Sequence, residues 1–463
     1  MNWTAFALGL LPEHFLLLGI VLLLIQAIVT DRGQGSALIA LLTVGAGALA
    51  GLWLGASDYA AAPFVGQLSV TPGSSMGKAI ALGLALPLLL MIREELGDGG
   101  AVYPLLVSSL YGLALMLSSD SFLTLFLGLE VMSLPVYVLT LMGMRRASSP
   151  EAALKYLVLG GAATATFLMG VSLLYGFSGT MAIGGFGQAL ASARPLAVVG
   201  AAMLLLAFFL KAAVVPFHSW APDAYEGASV PITGYMAAVI KAGVLLAALH
   251  LFGQHKLSPS MVGLLAALPL LSIVWGNLVA MRQKNLRRMM AYSSIAHAGY
   301  LYYAFLGEGP GRLQSVLFYL LVYGLLTVLV FAVLPAHRQD DQRDRLDQLK
   351  GLFHRQPFAA VMIGLAMLSL AGIPPLPGFV AKFLIFKEVM AAGHTLPAVL
   401  GLVGSYLGIY FYLRVIQLMF MSAGPGFASD EPPLRKTSIA AALMCLLPAL
   451  AIGLGPGWFI ARI

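Results

Sequence analysis

Cysteine is nearly absent: Cys445 is the single one in 463 residues. An internal disulfide is therefore excluded, and one thiol cannot build a zinc or iron–sulfur site. Charge is scarce too, at 10% of residues against about 25% in soluble domains. That excludes an ordinary water-soluble globule. HExxH, a Rossmann glycine fingerprint and a phosphate loop are missing. The GEGPG stretch at 307–311 has no Gly-Lys-Ser/Thr after it and reads as a turn. The chain is expected to hold no cofactor and no metal. No basic region precedes the first apolar run, and Glu13 stands before it, so no cleavable signal peptide is expected. Ten-residue segments of alternating polarity, the mark of a transmembrane barrel, do not occur.

What the chain has is long apolar runs. Hydrophobic residues make up 60% of it, and its mean hydropathy is +0.92. Most runs reach the roughly 20 residues that an α-helix needs to cross a bilayer. The expectation is an all-α, polytopic membrane protein of about 14 spans, forming one membrane domain over 1–463. Within it we expect N-terminal helices over about 1–95 and a first five-helix repeat over about 101–251. A second repeat over about 259–421 and a C-terminal helix over about 437–463 complete it. Two runs are broken by proline: LLLAFFLKAAVVPFHSWAP, and the 358–391 window around Pro374, Pro375 and Pro377. Paired broken helices in two halves of an apolar chain point to inverted repeats and a midplane ion site. The hydrophilic stretch 337–357 suits one short amphipathic helix.

The formal charge of +7 is spread over loops. Arg32, Arg93, Arg145, Arg146, Arg282, Arg338, Arg343 and Arg435 fall in one alternating set of loops. The other set holds little beyond Arg194, Lys256, Arg312 and Arg462. That asymmetry predicts basic loops in the cytoplasm and both termini outside. No compact basic domain is present, so the partners expected are lipids and membrane proteins, with no nucleic acid.

Against this background a few ionisable residues stand inside apolar runs: Glu130, Lys211, Lys241 and Lys382. A charge at the bilayer centre costs at least about 2.5–3.5 kcal/mol, so each is a functional candidate. Burial brings the charged and neutral forms of a lysine closer in energy, and a nearby carboxylate restores the charged form. Glu130 beside Lys211 is the expected switch, with a static ion pair as the alternative. Lys241 has only Glu226 near it in sequence. Lys382, beside a proline break, can meet freed backbone carbonyls. Lys155 fits either an interfacial position or a relay. His218, with Asp223 and Glu226 following it, suits either proton intake or a turn cap. His297, mid-span among Ser293, Ser294, Tyr292 and Tyr300, suits a water chain or a packed histidine equally. Arg414 is given no transport role.

The blocks LFLGLEVMSLPVYVL, FHSWAPDAYEGASVPITGY, RRMMAYSSIAHAGYLYY and LSLAGIPPLPGFVAKFLIFKEV resemble the antiporter-like subunits of respiratory complex I. Tyr225 and Gly227 in PDAYEGA, together with Lys382, are most similar to the N-type members. The resemblance implies proton translocation driven by redox chemistry in other subunits. Glu130 would be the modulating glutamate, Lys211 and Lys241 the relay lysines and Lys382 the exit-side lysine. It also implies quinone, FMN, NADH and iron–sulfur clusters in partner subunits, and neighbours of the M, L, K, J, A and H types. The location implied is the bacterial plasma membrane. GASVPITGY departs from the family's proline-richer stretch, which alters packing near the intake. An Mrp-type cation/proton antiporter subunit and a membrane-bound hydrogenase subunit share the same motifs.

Overall fold

The computed structural model describes residues 3–29, 35–97, 100–142, 147–192, 194–252, 257–335, 344–422 and 433–462. Arg32, Arg145, Arg146, Lys256, Arg338 and Arg343 of the loop argument lie outside the described residues. The described chain is helical nearly throughout, because a backbone in lipid must satisfy its own hydrogen bonds. Among the described residues eleven helices are long and apolar enough to cross a membrane. Seven of them, taken in order, are α1 (Leu11–Val29), α2 (Ser36–Ala56), α3 (Pro72–Glu95), α5 (Phe122–Leu141), α6 (Ser149–Ser178), α7 (Pro195–Ala212) and α9 (Val230–Phe252). The other four are α10 (Pro259–Ala280), α12 (Gly311–Ala332), α15 (Thr395–Phe420) and α16 (Lys436–Leu454).

Three passes fall below that threshold for physical reasons. The helix α4 (Val102–Leu117) is short. α11 (Leu286–Tyr303) is polar and carries Arg287, Arg288, His297 and serines. The twelfth pass is split into α13 (Pro357–Ala371) and α14 (Pro377–Ala391). Counted with them, the passes number fourteen, as the hydropathy predicts. Between α7 and α9 lies a short helix, α8 (Trp220–Gly227), which follows the first break.

Local chemistry sets the ends. Thr71 and Ser74 form a reciprocal capping box with Pro72 at the first helical position of α3. Asn285 caps α11 through the Arg288 amide. Gly179 and Gly372 end α6 and α13 in the left-handed conformation, which costs glycine nothing. Both breaks contain a cis X–Pro bond, Val215–Pro216 and Pro374–Pro375.

The core is formed by α9 and α12, which are buried over essentially their whole length, whereas α1 and α16 bury only about a quarter of theirs, 28% each. A helix apolar all round belongs inside a large bundle. One rim is knitted by a small antiparallel hairpin, Ala61–Phe64 with Leu68–Val70. Ser69 donates its amide to the Ser118 carbonyl, and Phe122 to that of Met181. On the opposite rim Leu286 and Leu346 pair with Asp344 and Lys284 across two loops. The expected amphipathic helix over 337–357 is corrected there. Of that stretch the structure describes 344 onward, and it forms a 3₁₀ turn (Leu346–Leu349) and a one-turn helix (Leu352–Arg355). Gly351, at φ 70°, separates them, and its amide bonds the Leu418 carbonyl.

Candidate functional site

Glu130, Ser133 and Tyr137 recur at i, i+3 and i+7 and so share one face of α5. That face meets the last turn of α7. Lys211 Nζ lies 3.5 Å from Glu130 Oε1. It donates to Ser133 Oγ at 3.2 Å and to Tyr137 OH at 3.3 Å. Thr164 on α6 donates to the same Glu130 oxygen at 2.5 Å. The lysine is placed by the break that follows it. Ala213 takes a left-handed conformation and donates its amide to the Leu210 carbonyl, which also accepts the Trp220 indole N–H at 2.9 Å. The ring of Trp220 stacks on Tyr156, which meets Tyr137 edge-on. An ammonium at a helix C-terminus also faces the negative end of the backbone dipoles.

Lys241 sits in the central helix α9, 5% exposed. It does not snorkel. Its ammonium donates to the Ser294 carbonyl at 2.7 Å and also bonds the Ser294 hydroxyl. Tyr225 OH lies 3.2 Å from that hydroxyl. Among the described residues no carboxylate pairs with Lys241. Glu226, its neighbour in sequence, is bound elsewhere. One turn of π-helix, Met236–Ile240, immediately precedes this lysine. Such turns concentrate at functional positions.

Lys382 stands on α14 just past the second break. It donates to the Ala371 carbonyl, freed at the end of α13, at 3.0 Å, and its ammonium lies 5.1 Å from the Tyr300 ring centroid. The two half-helices touch where Gly378 donates its amide to Ser369 Oγ at 3.0 Å. A Cβ at Gly378 would overlap the Ser369 carbonyl.

Of the remaining candidates, Lys155, Asp223 and Glu226 gather at the rim of the basic loops. Lys155, 43% exposed, is bonded to Glu151 (2.6 Å) and Asp223 (2.7 Å). Arg288 bridges Asp223 (2.6 Å) and Glu226 (2.9 Å), and Asn285 donates to Glu226 at 3.2 Å. Burial pushes the Asp223 carboxyl up, but hydrogen bonds from Lys155 and Arg288 reverse this and hold it below the usual carboxylate range. His218 stands apart from this cluster and accepts from the Trp275 indole at 3.1 Å. His297 is fully inside, held by tyrosine hydroxyls on both ring nitrogens. Arg414 bonds the carbonyls of Met281 and Gln283 at the end of α10.

Sequence reasoning missed two buried ion pairs. Lys78 meets Glu13 at 2.6 Å, and Arg287 meets Asp344 at 2.6 Å while also bonding the Ala228 carbonyl. All four lie near span ends, where a charge reads as interfacial. It also missed Tyr319 and Tyr412, which reach His297 from distant helices.

A bundle of fourteen passes with two proline-broken helices, each placing a lysine in its interior, defines the class of antiporter-like polytopic membrane proteins. A family model described as NADH:quinone oxidoreductase/Mrp antiporter, TM, matches residues 119–408, and the chain belongs to that family. It is 40% identical over 455 residues to NADH-quinone oxidoreductase subunit N of Pelobacter propionicus, covering 95% of this chain and 96% of the relative. A chain of respiratory complex I from Thermus thermophilus, solved with bound aureothin, superposes with a TM-score of 0.84 at 33% identity. The match covers 97% of this chain and 98% of that one. A chain of the Mrp complex from Dietzia sp. DQ12-45-1b shares the fold, with a TM-score of 0.83 at 23% identity over 100% of this chain and 96% of that one.

Proposed function

We propose that this chain is a proton-translocating, N-type membrane subunit of a bacterial NADH-quinone oxidoreductase. One observation carries the reading: Glu130, Lys211, Lys241 and Lys382 are ionisable groups set into apolar helices, three of them buried lysines on or beside irregular backbone. The higher identity with N subunits, 40% against 23% for the Mrp chain, favours this assembly over an Mrp-type antiporter.

In this reading Glu130 modulates Lys211. Two unit charges about 4 Å apart interact by about 4 kcal/mol at an effective dielectric constant near 20. Moving a proton against 100 mV requires about 2.3 kcal/mol. The arrival or loss of one neighbouring charge is therefore enough to load or empty a lysine. Lys241, without a carboxylate, is the central relay, and Lys382 the exit-side group. Lys155, Asp223 and Glu226 form the intake cluster on the basic rim. His218 is assigned to the same side and His297 to the interior.

The chain itself is read as a non-redox subunit without a cofactor. FMN, NADH, iron–sulfur clusters and quinone belong to partner subunits, with neighbours of the M, L, K, J, A and H types. The basic rim is placed in the cytoplasm of a bacterial plasma membrane, with both termini outside. Residues 101–251 and 259–421 are read as inverted five-helix repeats, each with its fourth helix broken.

The test is Lys241→Ala in the reconstituted complex. We expect pumping to fall while assembly and electron transfer persist. An unchanged proton-to-electron ratio would make the chain a scaffold.

A further inference from the structure

Where α3 and α12 begin and α9 ends, on the hairpin rim, the helices leave a cavity of about 180 Å³. That is several times the room one water needs. Its floor is apolar, with Leu117 and Leu246 among the leucines. Its polar wall is made by Thr71, Ser74, His250 and Arg312. Among the described residues no carboxylate lines it, so the charge of the wall is positive.

Arg312 supplies that charge. Its Nη1 donates to the Gly307 carbonyl at 2.8 Å, which fixes the guanidinium against the preceding turn. A guanidinium has five N–H donors, and among the described residues this is the one that the side chain spends on protein. Four donors are left, in the planar fork that fits two oxygens of one oxyanion. Glu308, exposed on the same turn, acts on Arg312 through its charge but is not part of the wall. Thr71 offers a further donor. Its Oγ1 accepts the Ser74 amide at 3.1 Å, and its own proton is not used in that bond. His250 stands on the last turn of α9, the helix that carries Lys241. The leucines lower the local dielectric, which strengthens the attraction between a half-buried guanidinium and any counter-charge.

We propose that this cavity is a binding site for a phosphate group, held by the Arg312 fork with Thr71 and His250 beside it. Phosphate reaches the rim of a membrane protein from two sources, as the free ion in water and as the headgroup of an anionic lipid. A bound group ties the first turns of α3 and α12 to the end of α9. The site is independent of the translocation reading, since it uses neither Glu130 nor the buried lysines.

The test uses the full chain, purified in neutral detergent and stripped of lipid and phosphate. Inorganic phosphate and phosphatidylglycerol are the two probes, followed by calorimetry and by native mass spectrometry. Dioleoylglycerol, a lipid without the phosphate, is the control. We expect at least one probe to bind at a single site, and dioleoylglycerol not to displace it. Phosphate binding alone identifies the free ion as the occupant, and phosphatidylglycerol binding identifies the lipid. Arg312→Gln should raise the Kd of the bound probe by about tenfold or more, as expected for lost hydrogen bonds to a charged group. Arg462→Gln, which removes an exposed arginine elsewhere, should leave it unchanged. Arg312→Lys keeps the charge without the fork and should fall between, and it preserves the test should Arg312→Gln fail to fold. Parent-like affinity in either Arg312 variant overturns the site. So does equal uptake of dioleoylglycerol and phosphatidylglycerol, or a parent chain that binds neither probe.

Discussion

Glu130 shows what one carboxylate can impose on one amine. Lys211 has three oxygen neighbours, but only Glu130 brings charge; Ser133 and Tyr137 supply dipoles. Glu130→Gln keeps the shape and the Thr164 contact, and it removes an interaction on the order of 4 kcal/mol. We expect assembly to persist and pumping to drop by at least about tenfold, measured as proton uptake per electron. At the rim, Asp223 obeys the opposite sign of linkage to a paired lysine. Its carboxyl titrates below the ordinary range, so the stability it contributes is present above the unfolded value near 3.9. That stability is lost as pH falls through the lower folded value. The melting difference between the parent and Asp223→Asn in detergent should therefore hold steady from about pH 8 to pH 5 and shrink only below about pH 4. Glu130 and Lys211 were legible in the sequence because each interrupts a run of apolar neighbours. Tyr319 and Tyr412 were not, since a tyrosine in an apolar helix looks like core. Their meaning appears only when α12 and α15 bring them to a histidine 22 and 115 residues away.

At the scale of elements, the breaks are the parts that proline announces and glycine permits. Gly378 lets α13 and α14 approach until its amide reaches Ser369. Gly378→Ala forces a methyl against the Ser369 carbonyl. Overpacking of this kind costs about 1–3 kcal/mol. We expect a lower melting temperature together with loss of pumping, as the Lys382–Ala371 bond is pulled apart. Gly160 offers a milder version: a Cβ there overlaps Tyr137 OH. Gly160→Ala should thus push the hydroxyl off Lys211 and slow pumping with little change in stability, checked by comparing the two measurements on one preparation. Both breaks were visible from Pro216, Pro374, Pro375 and Pro377. The two short turns within 344–357 were not, because the pull of Arg287 on Asp344 is a tertiary effect that overrides the leucine spacing.

For the whole molecule, the pair Arg287–Asp344 joins parts far apart in the chain. Its guanidinium holds the Ala228 carbonyl, next to α8, and the loop leading to α13. Both broken passes are therefore tied to one residue at the foot of α11. Removing one partner of a buried ion pair typically costs about 3–5 kcal/mol. Asp344→Asn is expected to lower the melting temperature of the purified protein and its yield in the assembled complex. The orientation drawn from the basic loops has its own check. Cysteines placed at the two termini, in a Cys445→Ala background, should both react with an impermeant maleimide added outside intact cells. Fold class and pass number followed from hydropathy, because lipid leaves few alternatives to a helix. The hairpin over 61–70 escaped notice because its strands are shorter than any pattern that periodicity can register.

A membrane helix usually tolerates no single-residue deletion, since everything downstream swings by about 100° around the axis. The stretch Met236–Ile240 escapes that arithmetic. It is wound with one residue more per turn than its flanks need, like slack taken up in a coil. Excising Ala238 alone should draw the coil to ordinary pitch and leave the amine of the following lysine aimed at the same serine, whereas excising a residue from α12 should misdirect the whole helix.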